Sequence, residues 1–268
     1  MRLKNKTAIV VGGGQSGGST TAIGNGRATA MLFAREGAKV LVVDRDIKTA
    51  QETADLIAKE GNIARATVAD VTSEQQVAAA IAECKNAWGQ VDILHNNVGI
   101  SVAGGDAPIE DITTEAFDLL INVNLRGIVY ATKHVLPIMR EQRSGAIVNI
   151  SSMAAWSNYP WVGYKTTKSA VISLTEQTAA RNAQYNIRAN VILPGLMDTP
   201  MAVDTRAREW NKPREEIAAE RDAKVPLGRK MGTGWDVAYA AVFLASEEAK
   251  FITGVALNID GYAILLKQ

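Results

Sequence analysis

The chain has 268 residues, 47% hydrophobic and 21% charged, enough to bury a substantial core as one large domain or two small ones. Its 29 basic and 28 acidic residues nearly cancel, and no strongly basic stretch offers a surface for tracking phosphates, which argues against a nucleic-acid partner. A single cysteine, Cys84, excludes an internal disulfide framework and suits a reducing compartment. Cys84 lies among Val77, Ala80 and Ile81, a packing environment. No segment approaches the ~20 apolar residues that span a bilayer. His95 and His134 have no neighbouring ligand pattern, so no metal site is expected. Residues 1–6 are basic but lead into a strand rather than a signal-peptide apolar region, and the expected location is the cytoplasm.

In chain order, Ala8-Ile9-Val10-Val11, Val40-Leu41-Val42-Val43, Val91-Asp92-Ile93-Leu94, Ala146-Ile147-Val148-Asn149-Ile150 and Asn190-Val191-Ile192-Leu193 are nearly continuous apolar runs. Parallel strands covered on both faces read this way, without alternation. Ile63 to Val68 and Val255 to Ile259 are weaker candidates of the same kind. Helical patterns fill the intervals. Gly37, Gly61 and Gly89 stand where C-terminal caps belong, and Thr72 with Gln75 reads as a capping box. Strand and helix in turn predict one doubly wound, Rossmann-type α/β domain over residues 1–268, with a mostly parallel seven-stranded sheet and helices on both faces. There is no repeat and no long linker.

The first strand runs into a glycine-rich loop from Gly12 to Gly26, and a helix is predicted to begin near Gly24. Glycines at a strand-to-helix turn let the backbone approach a pyrophosphate, whose charge meets the helix N-terminus. Gly12, Gly14, Gly24, Asn25 and Gly26 are the candidate contacts. Asp44 ends the second strand, where a carboxylate accepts hydrogen bonds from ribose hydroxyls and repels a 2′-phosphate, so NAD is expected ahead of NADP. The competing reading makes Asp44 the cap of the helix starting near Ile47. Arg45 keeps NADP in play, since a guanidinium there receives a phosphate.

Tyr164 and Lys168 stand four residues apart, twelve residues after Ser152. On a helix this spacing puts both on one face. A phenol beside a fixed ammonium is a proton-transfer device, because the cation favours phenolate. Lowering a tyrosine from about 10 to about 7 takes about 4 kcal/mol.

Further along come Asp70-Val71 after the third strand and Asn96-Asn97-Val98-Gly99 after the fourth. Asn122-Val123-Asn124-Leu125-Arg126-Gly127, Ile150-Ser151-Ser152 and Pro194-Gly195-Leu196-Met197-Asp198-Thr199-Pro200 follow. In this order and spacing, together with the glycine loop, Asp44, Tyr164 and Lys168, they resemble the classical short-chain dehydrogenase/reductase family over essentially the entire chain. The resemblance implies hydride transfer between NAD(H) and a secondary alcohol or ketone. Tyr164 would be the base for oxidation and the acid for reduction, and Ser152 would bind the same substrate oxygen. Lys168 would lower the Tyr164 pKa and hold the nicotinamide ribose, while Asn124 would keep a water beside Lys168. Asp70 and Val71 would hold the adenine, and Asn97, Gly99, Pro194, Gly195 and Thr199 would line the rest of the cofactor cleft. A homotetramer is implied as well.

Three features depart from the family pattern. About eight residues, mostly Gly, Ser and Thr, are inserted in the glycine loop; they supply extra amides and hydroxyls to the cofactor or bulge away as a solvated loop. Val98 replaces an alanine. The serine-to-tyrosine interval is one residue short, so counting back from Tyr164 points to Ser151 while the strand end points to Ser152. Only one of the two can face the site, and Ser152 is the expected one, because a loop absorbs a deletion more readily than a strand end.

Met153, Trp156, Tyr159, Trp161, Met197, Met201 and Trp210 fall in loops over the carboxyl ends of the strands, where ligands bind in such sheets. They suggest an apolar, cyclic or aromatic alcohol or ketone, with Trp156 and Met197 as candidate substrate contacts; packing is the alternative for each. Residues 200–225 are the expected substrate lid. Ile264-Leu265-Leu266 is expected at a subunit interface. A different class of function, an NAD-sensing regulator without turnover, has no need of the Ser-Tyr-Lys-Asn set.

Overall fold

In the computed structural model, which describes residues 1–15 and 22–263, the seven expected strands form one sheet in which every pairing is parallel. They are β1 (Thr7–Val11), β2 (Lys39–Asp44), β3 (Ala64–Val68), β4 (Ile93–Asn96), β5 (Gly145–Ile150), β6 (Ile187–Pro194) and, last in the chain, a strand over Ala256–Ile259. Spatial order is β3-β2-β1-β4-β5-β6 with Ala256–Ile259 at the far edge. The order reverses between β1 and β4, which opens a crevice at their carboxyl ends, the place where such sheets bind ligands.

Consecutive side chains of each strand go to opposite layers. Ala8, Val10, Val40 and Val42 pack with Phe33, Ile57 and Val237, while Ile9, Val11, Leu41 and Val43 pack with Ile81, Val135 and Met139. The first layer is covered by α1 (Asn25–Arg35) and α2 (Ile47–Lys59), the second by α3 (Glu74–Trp88), α5 (Gly127–Gln142) and α6 (Val162–Asn182), with α4 (Thr114–Ile121) packed on α6. Cys84 is buried in the second layer, and burial pushes its thiol up to about 12, so it packs rather than reacts. His95 is buried edge-on against Phe33 at 6.0 Å, and burial holds it neutral, down to about 3.

Gly37, Gly61 and Gly89 take φ of +93°, +80° and +78°, the left-handed conformation a C-terminal cap needs. Two expectations shift. The fourth strand starts at Ile93, two residues late, and runs on through the polar pair His95 and Asn96. Asn96 is tolerated there because it donates to Asn149 Oδ1 at 2.9 Å across the sheet. The cap of α3 is Ser73, whose hydroxyl accepts from Gln76 N, instead of Thr72 with Gln75; Thr72 is occupied with Asp70, donating to it through both N and Oγ1.

A two-stranded ribbon was not expected. β7 (Met197–Asp198) pairs with β8 (Gly232–Thr233), closing the base of the excursion between them. That excursion holds a π-helical turn at Pro200–Asp204, α7 (Thr205–Glu209) and α8 (Arg214–Asp222), with its own small core of Val203, Ile217, Val225 and Met231. It coincides with the expected lid. The chain returns through α9 (Gly234–Ala245), packed on α1, to the last strand, β9 (Ala256–Ile259). The apolar tail 264–266 lies outside the described residues.

Candidate active site

The glycine turn is held in place at its neck. Gly12 takes φ +79° and donates to Val43 O, and Asn97 Nδ2 donates to Gly12 O at 3.0 Å. A side chain at Gly26 would strike that same Gly12 carbonyl, so the start of α1 can approach the turn only as glycine. Gly24, the N-terminal cap of α1, offers no side-chain hydrogen bond, and the first turn contains no acidic residue. The Asn25 Oδ1 atom is buried without a partner. Free amides, an unspent side-chain oxygen and a helix N-terminus together suit a phosphate-bearing cofactor.

Gln15 closes the inserted loop at its base, its carbonyl accepting from Gly24 N and its amide donating to Ala22 O. Residues 16–21 of the insert lie outside the described residues.

Asp44 faces this turn. Its carboxylate accepts from Gly14 N at 3.1 Å and from Asp46 N at 3.3 Å, and a side chain at Gly14 would collide with it. The cap of α2 is Asp46, which accepts from Lys48 N, so Asp44 is not the cap. Arg45 is exposed beside it. Asp70 spends one oxygen on Thr72, Val71 is buried against Gly127, and Val98 packs on Gly12. Pro194 ends β6, Gly195 lies so close to Asp260 that a Cβ would fall 2.5 Å from that residue's own, and Thr199 caps the Pro200–Asp204 turn.

At the carboxyl end of β5 the two serines part company. Ser151 Oγ, buried, donates to Lys168 O at 2.6 Å and is thereby committed to the α6 backbone. Ser152 lies close enough to the Tyr164 phenol to favour its ionised form, and its hydroxyl caps the short turn that follows, accepting from Ala154 N. Lys165 donates to the carbonyls of Ala154, Ala155 and Ser157, holding this loop against α6.

Tyr164 and Lys168 lie one turn apart on α6. The Lys168 ammonium is buried 5.6 Å from the Tyr164 ring centroid, donates to Ile150 O at 2.8 Å, and sits where a Cβ at Gly99 would be 3.0 Å away. The expectation that it lowers the phenol pKa is not met in the protein alone. Burial, then Tyr159, push Tyr164 up to about 12, with the nearby Ser152 hydroxyl and Arg206 acting the other way. Burial also holds Lys168 down, at about 8. Desolvation disfavours both charged forms and outweighs their mutual attraction at this separation.

Asn124 lies in a π-helical segment, Asn122–Arg126, between α4 and α5; such widened turns concentrate at functional sites. Its carboxamide is spoken for, accepting from Ile100 N and donating to Ile100 O and Thr167 Oγ1. It pins the segment after β4 to α6.

The residue that sequence reasoning missed is Asp106. No side chain of its own segment caps α6, and Asp106 supplies the cap from 58 residues away, accepting from Gly163 N and Tyr164 N, with Ser101 Oγ on the same carboxylate.

Tyr159 packs on Tyr164 at 5.6 Å and on Trp161 at 5.4 Å, and its hydroxyl meets Ser101 Oγ at 3.2 Å. Trp156 is 43% exposed and joins no ring contact among the described residues. Met197 does not join the aromatic wall either: at 4% exposure it packs on Gly232 within the main core, the packing role left open for it.

A doubly wound parallel sheet with a glycine turn at its switch point, and a Ser-Tyr-Lys cluster beside it, defines a Rossmann-type oxidoreductase. A family model described as enoyl-(acyl carrier protein) reductase matches residues 18–261. The chain is 36% identical to sorbitol dehydrogenase of Cereibacter sphaeroides, over 97% of this chain and 98% of that protein. It is 35% identical to the uncharacterized oxidoreductase YxbG of Bacillus subtilis, over 97% and 91%. A crystal structure of NAD+-bound xylitol dehydrogenase aligns with a TM-score of 0.87 at 31% identity, over 97% of this chain and 100% of that one. This chain belongs to the classical short-chain dehydrogenase/reductase family. The regulator alternative finds no support among these relatives. No helix among the described residues is long and apolar enough to cross a membrane, and no cluster of metal-ligating side chains occurs among them.

Proposed function

We propose that the chain is an NAD-preferring dehydrogenase/reductase acting on a secondary alcohol or ketone, with Tyr164 as general acid and base. The observation that carries this reading is Tyr164 and Lys168 one turn apart on α6, the ammonium 5.6 Å from the phenol ring, with the Ser152 hydroxyl near enough to act on the phenol. In this reading the phenol and the serine share one substrate oxygen. When bound, the nicotinamide cofactor accepts the hydride from the carbinol carbon in oxidation and returns it to the carbonyl carbon in reduction.

The chain's own residues handle the proton. In reduction the Tyr164 hydroxyl gives its proton to the oxygen that becomes the alcohol; in oxidation the phenolate takes it from the carbinol. With the phenol held at about 12, Tyr164 is set to donate at neutral pH. Working as a base requires added positive charge at the site. Ser152 steadies the oxygen as its charge develops, and Asn124 with Asp106 fixes α6 against the rest of the site.

Asp44 at the tip of β2 supports NAD, its remaining lone pairs being free for ribose hydroxyls. Tyr159 and Trp161 beside Tyr164 favour a substrate with an apolar or cyclic body. We expect a homotetramer, in keeping with exposed Phe251 and Tyr239, and light scattering measures it directly. The activity is tested by absorbance at the reduced-nicotinamide band, screening secondary alcohols and ketones with NAD and NADP in parallel. Tight NAD binding without turnover of any of them would return the regulator reading.

A further inference from the structure

We propose that the substrate carries an anionic group, a carboxylate or sulfonate, held by Arg206 and Arg221 of the lid while Tyr164 addresses its carbinol or carbonyl. This rests on the dehydrogenase reading and adds the substrate class to it.

Arg206, on α7, lies over two indoles, its guanidinium carbon 5.9 Å from the Trp161 ring and 5.8 Å from Trp210, with one nitrogen donating to Ala202 O. Trp161 touches Tyr159 and Tyr159 touches Tyr164, so this cation stands at the end of the aromatic wall that begins at the phenol. Arg221 lies on α8, which packs on α7. Its Nε is buried without a hydrogen-bond partner, and its charge acts on Tyr159 and Tyr164, as that of Arg206 does. Neither arginine takes part in an ion pair among the described residues.

The two guanidinium groups repel each other. Burial and Arg206 together push Arg221 down to about 10. The carboxylates at this end have partners of their own, although one Asp204 oxygen is left without one and the Asp198 charge also acts on Arg221. Asp106 caps α6, while Asp198 and Asp204 both bind Arg214. A guanidinium whose Nε is buried without a partner costs stability unless an anion answers it, and guanidinium forks bind the paired oxygens of carboxylates and sulfonates edge-on. The phosphate-binding turn has its own helix N-terminus at Gly24–Gly26, separate from this wall. An acid with a hydroxyl or keto group on an apolar body meets all three parts of the pocket.

The test compares 3-hydroxycyclohexanecarboxylate with its methyl ester, and 3-hydroxybutyrate with its methyl ester, as substrates with NAD. The acids are expected to exceed their esters in kcat/KM by about tenfold to a hundredfold, the worth of one or two charge-assisted hydrogen bonds. In Arg221→Gln and Arg206→Gln the acid-to-ester ratio collapses toward unity, whereas Lys212→Gln, on the lid surface, leaves it unchanged. Independently of turnover, propane-1-sulfonate and cyclohexanecarboxylate are titrated against the intrinsic fluorescence of Trp161 and Trp210. A saturable change that weakens in Arg221→Gln supports the anion site even if no alcohol turns over, in which case the dehydrogenase reading falls alone. Turnover of acid and ester alike, or an acid preference untouched by both substitutions, overturns the inference and leaves that reading standing. A weakened NAD affinity in Arg221→Gln with an unchanged acid-to-ester ratio also overturns it, by assigning the arginines to the cofactor.

Discussion

The Asp106 carboxylate accepts a hydrogen bond from the backbone amide of Tyr164 at 3.0 Å and another from Gly163 at 2.8 Å. It therefore caps the helix that carries Tyr164 and Lys168, and fixes where the phenol begins its reach. A carboxylate is the right group here, because the first amides of a helix carry partial positive charge and have no partners within it.

Asp106→Ala is expected to cost about 1–2 kcal/mol of stability, the worth of a helix cap. Turnover should fall by about a hundredfold through misplacement of Tyr164, with NAD affinity kept. Urea unfolding and steady-state kinetics check this together. A variant as stable and active as the parent would remove Asp106 from the account.

The two serines give a split prediction. Ser152→Ala removes the hydroxyl beside the phenol and should lower kcat by about a hundredfold or more, with only the loss of a short-turn cap in unfolding. Ser151→Ala removes a buried side-chain hydrogen bond to the α6 backbone and should show chiefly as about 1 kcal/mol of lost stability. The reverse pattern would reassign the site to Ser151.

Asp44→Ser is expected to lower kcat/KM for NAD by about tenfold to a hundredfold and to raise that for NADP, since it removes the ribose acceptor and the charge opposing a 2′-phosphate next to Arg45. Parallel assays with the two cofactors measure the switch. An unchanged preference would free Asp44 from ribose binding and leave it bracing Gly14.

Titration separates the phenol from the ammonium. Burial depresses Lys168 to about 8, so the folded chain binds fewer protons there than the unfolded chain between about pH 8 and 10.5. Stability from this group is therefore lowest below pH 8 and rises with pH across that window. Tyr164, raised to about 12, runs the other way and loses stability from about pH 10 to 12. Relative to Lys168→Met, the parent protein should gain on the order of 2 kcal/mol in urea unfolding between about pH 8 and 9.5. A flat difference would mean the ammonium is solvated.

The strands were legible because parallel strands covered on both faces are written as unbroken apolar runs, and Gly37, Gly61 and Gly89 marked the helix ends by their need for positive φ. β4 was misjudged at both ends because His95 and Asn96 look like loop residues until the partners of Asn96 and the burial of His95 are known. Tyr164 and Lys168 were placed correctly by helical spacing, yet their electrostatics were not, since burial from surrounding elements outweighs a neighbour 5.6 Å away. Asp106 and Arg221 left no local trace. Each acts on residues brought near only by the fold, and a lone aspartate or arginine in a loop or charged helix carries no pattern of its own.

The most direct measurement is the turnover of Tyr164→Phe with a substrate the parent protein oxidises, read at the reduced-nicotinamide band beside NAD binding by fluorescence. Loss of nearly all turnover with NAD affinity retained is the predicted result. Turnover equal to that of the parent would contradict the assignment of Tyr164 as the acid–base group.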